Sequence, residues 1–140
     1  MKIELERVNK ASHYQATAPS SEVKVNIDGS PEIGGEGKGV RPMELVLIAL
    51  GSCSVFDLSE ILKKQRQDII DIKVEVTGKR REEIPQIFTD IHIDFILTAN
   101  DLDLPKAERA AELAVKKYCS VHDMLAAGGI NITYGLDVKS

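Results

Sequence analysis

The sequence predicts an α+β fold with mostly antiparallel sheet. Three observations carry this. Stretches alternating apolar and polar residues at period 2 occur near the start, the middle and the end of the chain. Two of the central ones flank a short charged turn, as in a hairpin. Two helical stretches lie apart in sequence rather than alternating with every strand, which favours α+β over a doubly wound parallel sheet. At 140 residues, with no linker, repeat or low-complexity tract, the chain reads as one domain spanning 1–140, large enough for a hydrophobic core.

Residues 2–28 read as short strands, because Val23, Val25 and Ile27 alternate with Lys24, Asn26 and Asp28. A loop rich in glycine follows (Gly29, Gly34, Gly35, Gly37, Gly39). Pro42 then suits the first position of a helix, and Glu44 sits at the positive end of its dipole. The run Leu45–Leu50 has no polar side, so this part of the helix is expected to be buried all round, whereas Asp57 to Gln67 turns amphipathic. Ile72, Val74 and Val76 alternate with Lys73, Glu75 and Thr77, and the turn Arg80–Pro85 leads into a longer strand with Ile87, Ile91, Ile93, Phe95 and Leu97 on one face. Asp103 and Pro105 mark a second helix, with Ala107, Ala110, Ala111, Ala114, Val115 and Tyr118 as its buried stripe. Gly128 and Gly129 stop that region, and Ile130, Ile132, Tyr134, Leu136 and Val138 close the chain as a strand. One sheet covers only one side of the Leu45–Leu50 helix, so a partner subunit is expected to cover the rest.

A net charge of −4, with Lys63–Lys64 and Lys79–Arg81 interrupted by acids, argues against a nucleic-acid partner. The opening MKIELERV lacks the pattern of a secretory leader. The longest apolar-to-neutral run, Leu45 to Phe56, has 12 residues, where a membrane span needs roughly 20. A soluble, cytoplasmic protein without a membrane association is expected. In a reducing cytosol, paired cysteines are more often catalytic or redox-sensing than structural.

The chain has two cysteines, each in a predicted helix. Helical spacing places Leu50, Ala49, Phe56 and Asp57 around Cys53, where an apolar stripe meets an acidic one. It places Val115, Lys116, His122 and Asp123 around Cys119, where Lys116 or a protonated His122 would favour the thiolate. Spacing alone leaves two readings open and favours the blander: inert core cysteines, since free Cys is among the most buried residue types, or a thiol pair. The segment GGEGKG misses both phosphate-loop spacings and reads as a flexible loop that could border a site. His13, His92 and His122 are scattered, so a metal site is not expected; Glu82–Glu83 reads as solvated, and no G-x-S-x-G elbow is present.

The segment RPMELVLIALGSCSVFDLSEILKKQRQ resembles the hallmark helix of the OsmC/Ohr family, and AERAAELAVKKYCSVHDML resembles the helix with that family's second cysteine. The closing INITYGLDV fits its last strand, and REEIPQIFTDIHIDFILT is closer to the OsmC-like subgroup than to the organic hydroperoxide resistance branch. The resemblance spans nearly the whole chain in the right order. It implies a sheet packed on two long central helices, an intertwined homodimer with sites at the subunit interface, and thiol-dependent reduction of organic hydroperoxides. Cys53 matches the peroxidatic thiol and Cys119 the resolving thiol. A sulfenic acid on the first condenses with the second to a disulfide. A dithiol of the dihydrolipoyl type restores the pair by exchange, with no metal or flavin.

Two positions depart from the family pattern. The activating glutamate that follows the proline is Met43 here; Glu44 comes one residue later, turned about 100° around the helix. The activating arginine has no counterpart in a recognisable motif, since Arg7 stands alone in the N-terminal strands. Arg41, beside the helix start, is the candidate substitute, with Glu44, Asp57 and His122 as further activating or site-lining residues. The two thiols therefore carry over while the activating apparatus does not, which is compatible with slow turnover or a different substrate. The alternative function is a redox-sensing or ligand-binding dimer, its cleft lined by apolar residues such as Val46, Leu50 and Phe56.

Overall fold

In a computed structural model, which describes residues 1–140, the strands are β1 (Glu4–Arg7), β2 (Tyr14–Ala18), β3 (Ser21–Ile27), β4 (Asp68–Arg80), β5 (Phe88–Asn100) and β6 (Asn131–Lys139). The helices are α1 (Pro42–Lys64), α2 (Leu104–Glu112) and α3 (Ser120–Ala127), with a π-helical turn at Leu113–Tyr118 between the last two. The chain forms two compact units, Met1–Val46 and Leu47–Ser140. Each holds one three-stranded sheet, β1-β2-β3 and β4-β5-β6. The fold is mixed α+β as expected. Every strand pairing is antiparallel except β5 with β6, whose parallel alignment requires the helical crossover between them.

In the larger unit β5 is the central strand. Its inward residues Ile91, Ile93, Phe95, Leu97 and Ala99 are all buried. The antiparallel register sets Ile72, Val74 and Val76 opposite Leu97, Phe95 and Ile93, and the parallel register sets Ile132, Tyr134, Leu136 and Val138 opposite Ile91, Ile93, Phe95 and Leu97. The three alternating patterns thus meet on one face. Ile87 does not join it: the residue lies outside the strand, and a bulge at Thr89 between the Lys79 and Arg80 pairings brings Phe88 to the buried side instead.

Helix α1 buries Leu50, Ser54, Leu58 and Leu62, one residue every turn. Each leucine contributes about 2 kcal/mol by leaving water. At Gly51 the helix meets β4 so closely that an added Cβ would lie 2.8 Å from Val76 Cγ2. The expectation of burial all round fails within one chain. Of Leu45–Leu50 only Leu50 is buried, Ile48 is 52% exposed, and Phe56 further along is 69% exposed. By length and composition α1 could cross a membrane, with a mean hydropathy of 1.9 over its most apolar window, yet its stripe packs inside the chain's own unit.

The second helix starts where expected. Asp103 is its N-cap and accepts from the Lys106 N–H at 3.2 Å. Ala107, Ala110, Ala111, Ala114 and Val115 are fully buried. Tyr118, expected on the same stripe, is 52% exposed, because the wider π turn rotates it off that face.

In the smaller unit Val23 and Val25 lie on exposed positions of β3 rather than on a half-buried face. The one buried residue of this unit is Asp28. Its Oδ1 accepts from Ser12 Oγ at 2.7 Å and the Gly29 N–H at 2.8 Å, and its Oδ2 from the N–H groups of Glu36 and Lys38 at 2.9 and 3.1 Å. The glycine-rich loop is therefore pinned. It does cradle an anion, but the anion is its own preceding residue. Glycine is required at Gly39, where a Cβ would overlap the Asn26 carbonyl, and at Gly35, where it would overlap the Gly29 carbonyl.

The hydrogen bond from Ser12, followed by those from the backbone, holds the Asp28 carboxyl far below its ordinary value of 3.8. A depressed pKa contributes stability that is present above the unfolded-state value and lost as pH falls through the folded one. Loop protection should hold at neutral pH and weaken only as pH drops below about 4. Hydrogen exchange of Gly29, Glu36 and Lys38 checks this: Asp28→Ala should lose their protection already at pH 7.

Candidate functional site

Both cysteines belong to the larger unit. Cys53 sits in the middle of α1 and is half-buried; Cys119 is 1% exposed; both are free thiols. The two lie near each other. The neighbouring Cys53 thiol adds a small upward push to the Cys119 pKa.

Cys119 is not inside a helix as expected. After the π turn the backbone becomes extended (φ −75°, ψ 106°), and Cys119 is the N-cap of α3. Its Sγ accepts from the His122 N–H at 3.3 Å. It also accepts from the Ser54 hydroxyl at 3.4 Å. Burial is the largest influence and pushes the Cys119 thiol up; Ser54 and the His122 amide act against it.

The expected influence of charged side chains gives way to these neutral donors. The Lys116 ammonium lies over the Tyr134 ring, 5.9 Å from its centre. The His122 imidazole, with only 14% of its side chain exposed, pairs through Nδ1 with Asp123 Oδ1 at 3.1 Å; the residue reaches Cys119 through its backbone. Asp57, one turn beyond Cys53, lines a hollow of about 350 Å³ with Glu60, Ile61, Lys64, Leu113 and Tyr118.

Arg41 and Glu44 belong to the smaller unit. Glu44 Oε1 accepts from the Arg41 N–H at 2.8 Å, the N3-to-N-cap half of a capping box, so its carboxylate closes the start of α1. The Arg41 charge helps to lower the Glu32 pKa, after hydrogen bonds from Ser30 and the Glu32 backbone. The Arg41 side chain lines an apolar hollow of about 560 Å³ with Leu5, Tyr14, Ile27, Ile33 and Pro42. Sequence reasoning missed Ser54. The only signal was its place one residue after Cys53, on the i, i+4 stripe of Leu50, Leu58 and Leu62. No three His, Cys, Asp or Glu side chains are grouped to hold a metal ion.

The chain is thus an α+β protein with a half-buried thiol near a buried one that accepts two hydrogen bonds. The family model described as OsmC-like protein matches residues 35–135, and the chain belongs to that family. It is 46% identical over 101 residues to Protein YhfA of Escherichia coli K12, covering 72% of this chain and 75% of YhfA. A crystal structure of a hypothetical protein from Aquifex aeolicus superimposes with a TM-score of 0.78 at 32% identity, covering 99% of this chain and 97% of that one. An organic hydroperoxide resistance protein OsmC from Legionella pneumophila, also described as a predicted redox protein, shares the fold at a TM-score of 0.64 and 15% identity, over 99% and 96% of the two chains.

The capping role of Cys119 can be tested by itself. Cys119→Ser keeps an acceptor at the N-cap and should leave stability near wild type. Cys119→Ala should cost about 1 kcal/mol. Urea unfolding of both variants checks the difference.

Proposed function

We propose that the chain is a thiol-dependent redox protein that reduces organic hydroperoxides through Cys53 and Cys119. The observation that carries this reading is a half-buried thiol near a buried one held by two donors. The name of the Legionella neighbour points to the same chemistry. The Cys53 thiolate attacks the distal peroxide oxygen. The O–O bond breaks, the alkoxide leaves and takes a proton, and Cys53 becomes a sulfenic acid. The Cys119 sulfur then attacks the Cys53 sulfur, the S–O bond breaks, and hydroxide leaves as water with the Cys119 proton. A dithiol of the dihydrolipoyl type reduces the disulfide by exchange. With Met43 in place of the family glutamate and Glu44 capping α1, turnover is expected to be modest.

The functional form is proposed to be a homodimer. The smaller unit buries no apolar residue, and α1 leaves Ile48 and Phe56 in water. Apolar surface of this extent supports a second copy as its cover. Light scattering at micromolar concentration should give twice the 15.4 kDa chain mass, and a monomeric mass would refute this part.

A second reading, ligand binding without turnover, is favoured by the apolar hollow of about 560 Å³ in the smaller unit. Consumption of cumene hydroperoxide with dihydrolipoamide separates the two readings. Wild type should consume peroxide and Cys53→Ser should fall to background. Equal consumption by both would sink the peroxidase reading, and inert thiols with lipid-like molecules retained in native mass spectra would support the second.

A further inference from the structure

Three serines of α1 differ in what their hydroxyls do. Ser52 donates back to the Ile48 carbonyl at 2.7 Å and Ser59 to the Val55 carbonyl at 2.8 Å, the usual habit of serine within a helix. Ser54, fully buried, instead turns off its own helix and donates to the Cys119 sulfur. Its position is fixed on both sides by leucines of the same stripe, Leu50 and Leu58. Nothing in helix formation needs a hydroxyl there; alanine would fill the same place with a better helix propensity.

We propose that Ser54, together with the His122 amide, is a positioning residue that favours the reduced state of Cys119 and so sets how readily the Cys53–Cys119 disulfide is reduced. The inference rests on the reading that these two thiols form a couple. The physical reason is a difference between the two states of one atom. In the reduced pair the Cys119 sulfur is a thiol or thiolate, and two buried donors have an acceptor. In the disulfide the same sulfur shares its electrons with Cys53 and accepts more weakly, so a buried hydroxyl is left poorly satisfied. Reduction restores the acceptor. The balance is a two-electron exchange: the disulfide plus an external dithiol gives the two protein thiols plus the oxidised reagent, with both protons coming from the dithiol.

Redox buffers of reduced and oxidised dithiothreitol test this on the full-length protein, with alkylation and intact mass reading the reduced fraction. The Ser54→Ala disulfide should persist to about tenfold more reducing buffer than wild type, a shift of about 30 mV for a two-electron couple. Ser52→Ala, which removes a hydroxyl that serves only its own helix, should leave the midpoint in place. A Ser54→Ala midpoint within about twofold of wild type with native circular dichroism, or an equal shift in Ser52→Ala, overturns the proposal. The measurement uses no peroxide. A wild type that forms the disulfide but consumes no hydroperoxide, with the Ser54→Ala midpoint shifted as expected, would sustain this inference while removing the peroxidase reading.

Discussion

Helix α1 carries more apolar surface than its own chain covers, and the rest of the structure follows from that imbalance. One stripe, Leu50–Ser54–Leu58–Leu62, is wholly buried, while Ile48 and Phe56 stand in water. Neighbouring residues on a helix point about 100° apart. Cys53 and Ser54 therefore fall on either side of the border between covered and uncovered surface. The same geometry gives one half-buried cysteine and, next to it in sequence, a buried hydroxyl aimed at the second sulfur. A helix amphipathic in the ordinary way would not place both functions on adjacent residues.

Two buried acidic groups in this chain are held by donated hydrogen bonds, with opposite results. Asp28 accepts four, from Ser12, Gly29, Glu36 and Lys38, and its carboxyl is strongly favoured as the anion. Cys119 accepts from only Ser54 and the His122 amide, beside another thiol and in an apolar core, and burial wins. The comparison shows what decides the outcome: the number of donors set against the water removed.

Much of the fold was legible in the sequence because the relevant patterns are periodic. The alternations Ile72–Val76, Ile91–Leu97 and Ile132–Val138 meet in register on one face, and the Asp103 cap begins α2 as read. The departures occur where a single residue breaks the period. The bulge at Thr89 exchanges Ile87 for Phe88, and the π turn moves Tyr118 outward and leaves Cys119 at a helix start. No residue type announces either event. The two cysteines could be named from their motifs. Their neighbours could not, because Ser54 reaches Cys119 across 65 residues of sequence. The Asp28 cradle was equally hidden, since backbone N–H groups leave no signature in a sequence.

The π turn at Leu113–Tyr118 has a consequence for how such a site is inherited. A π turn is what one additional residue does to an α-helix that keeps its hydrogen bonding, and such turns recur at functional sites. Removing any one residue from this turn would let the helix close up as α and swing everything beyond it by about 100°. Cys119 would then point elsewhere with its own codon and that of Cys53 untouched. The chain length between the two thiols is thus as much a determinant of where Cys119 sits as the cysteine itself.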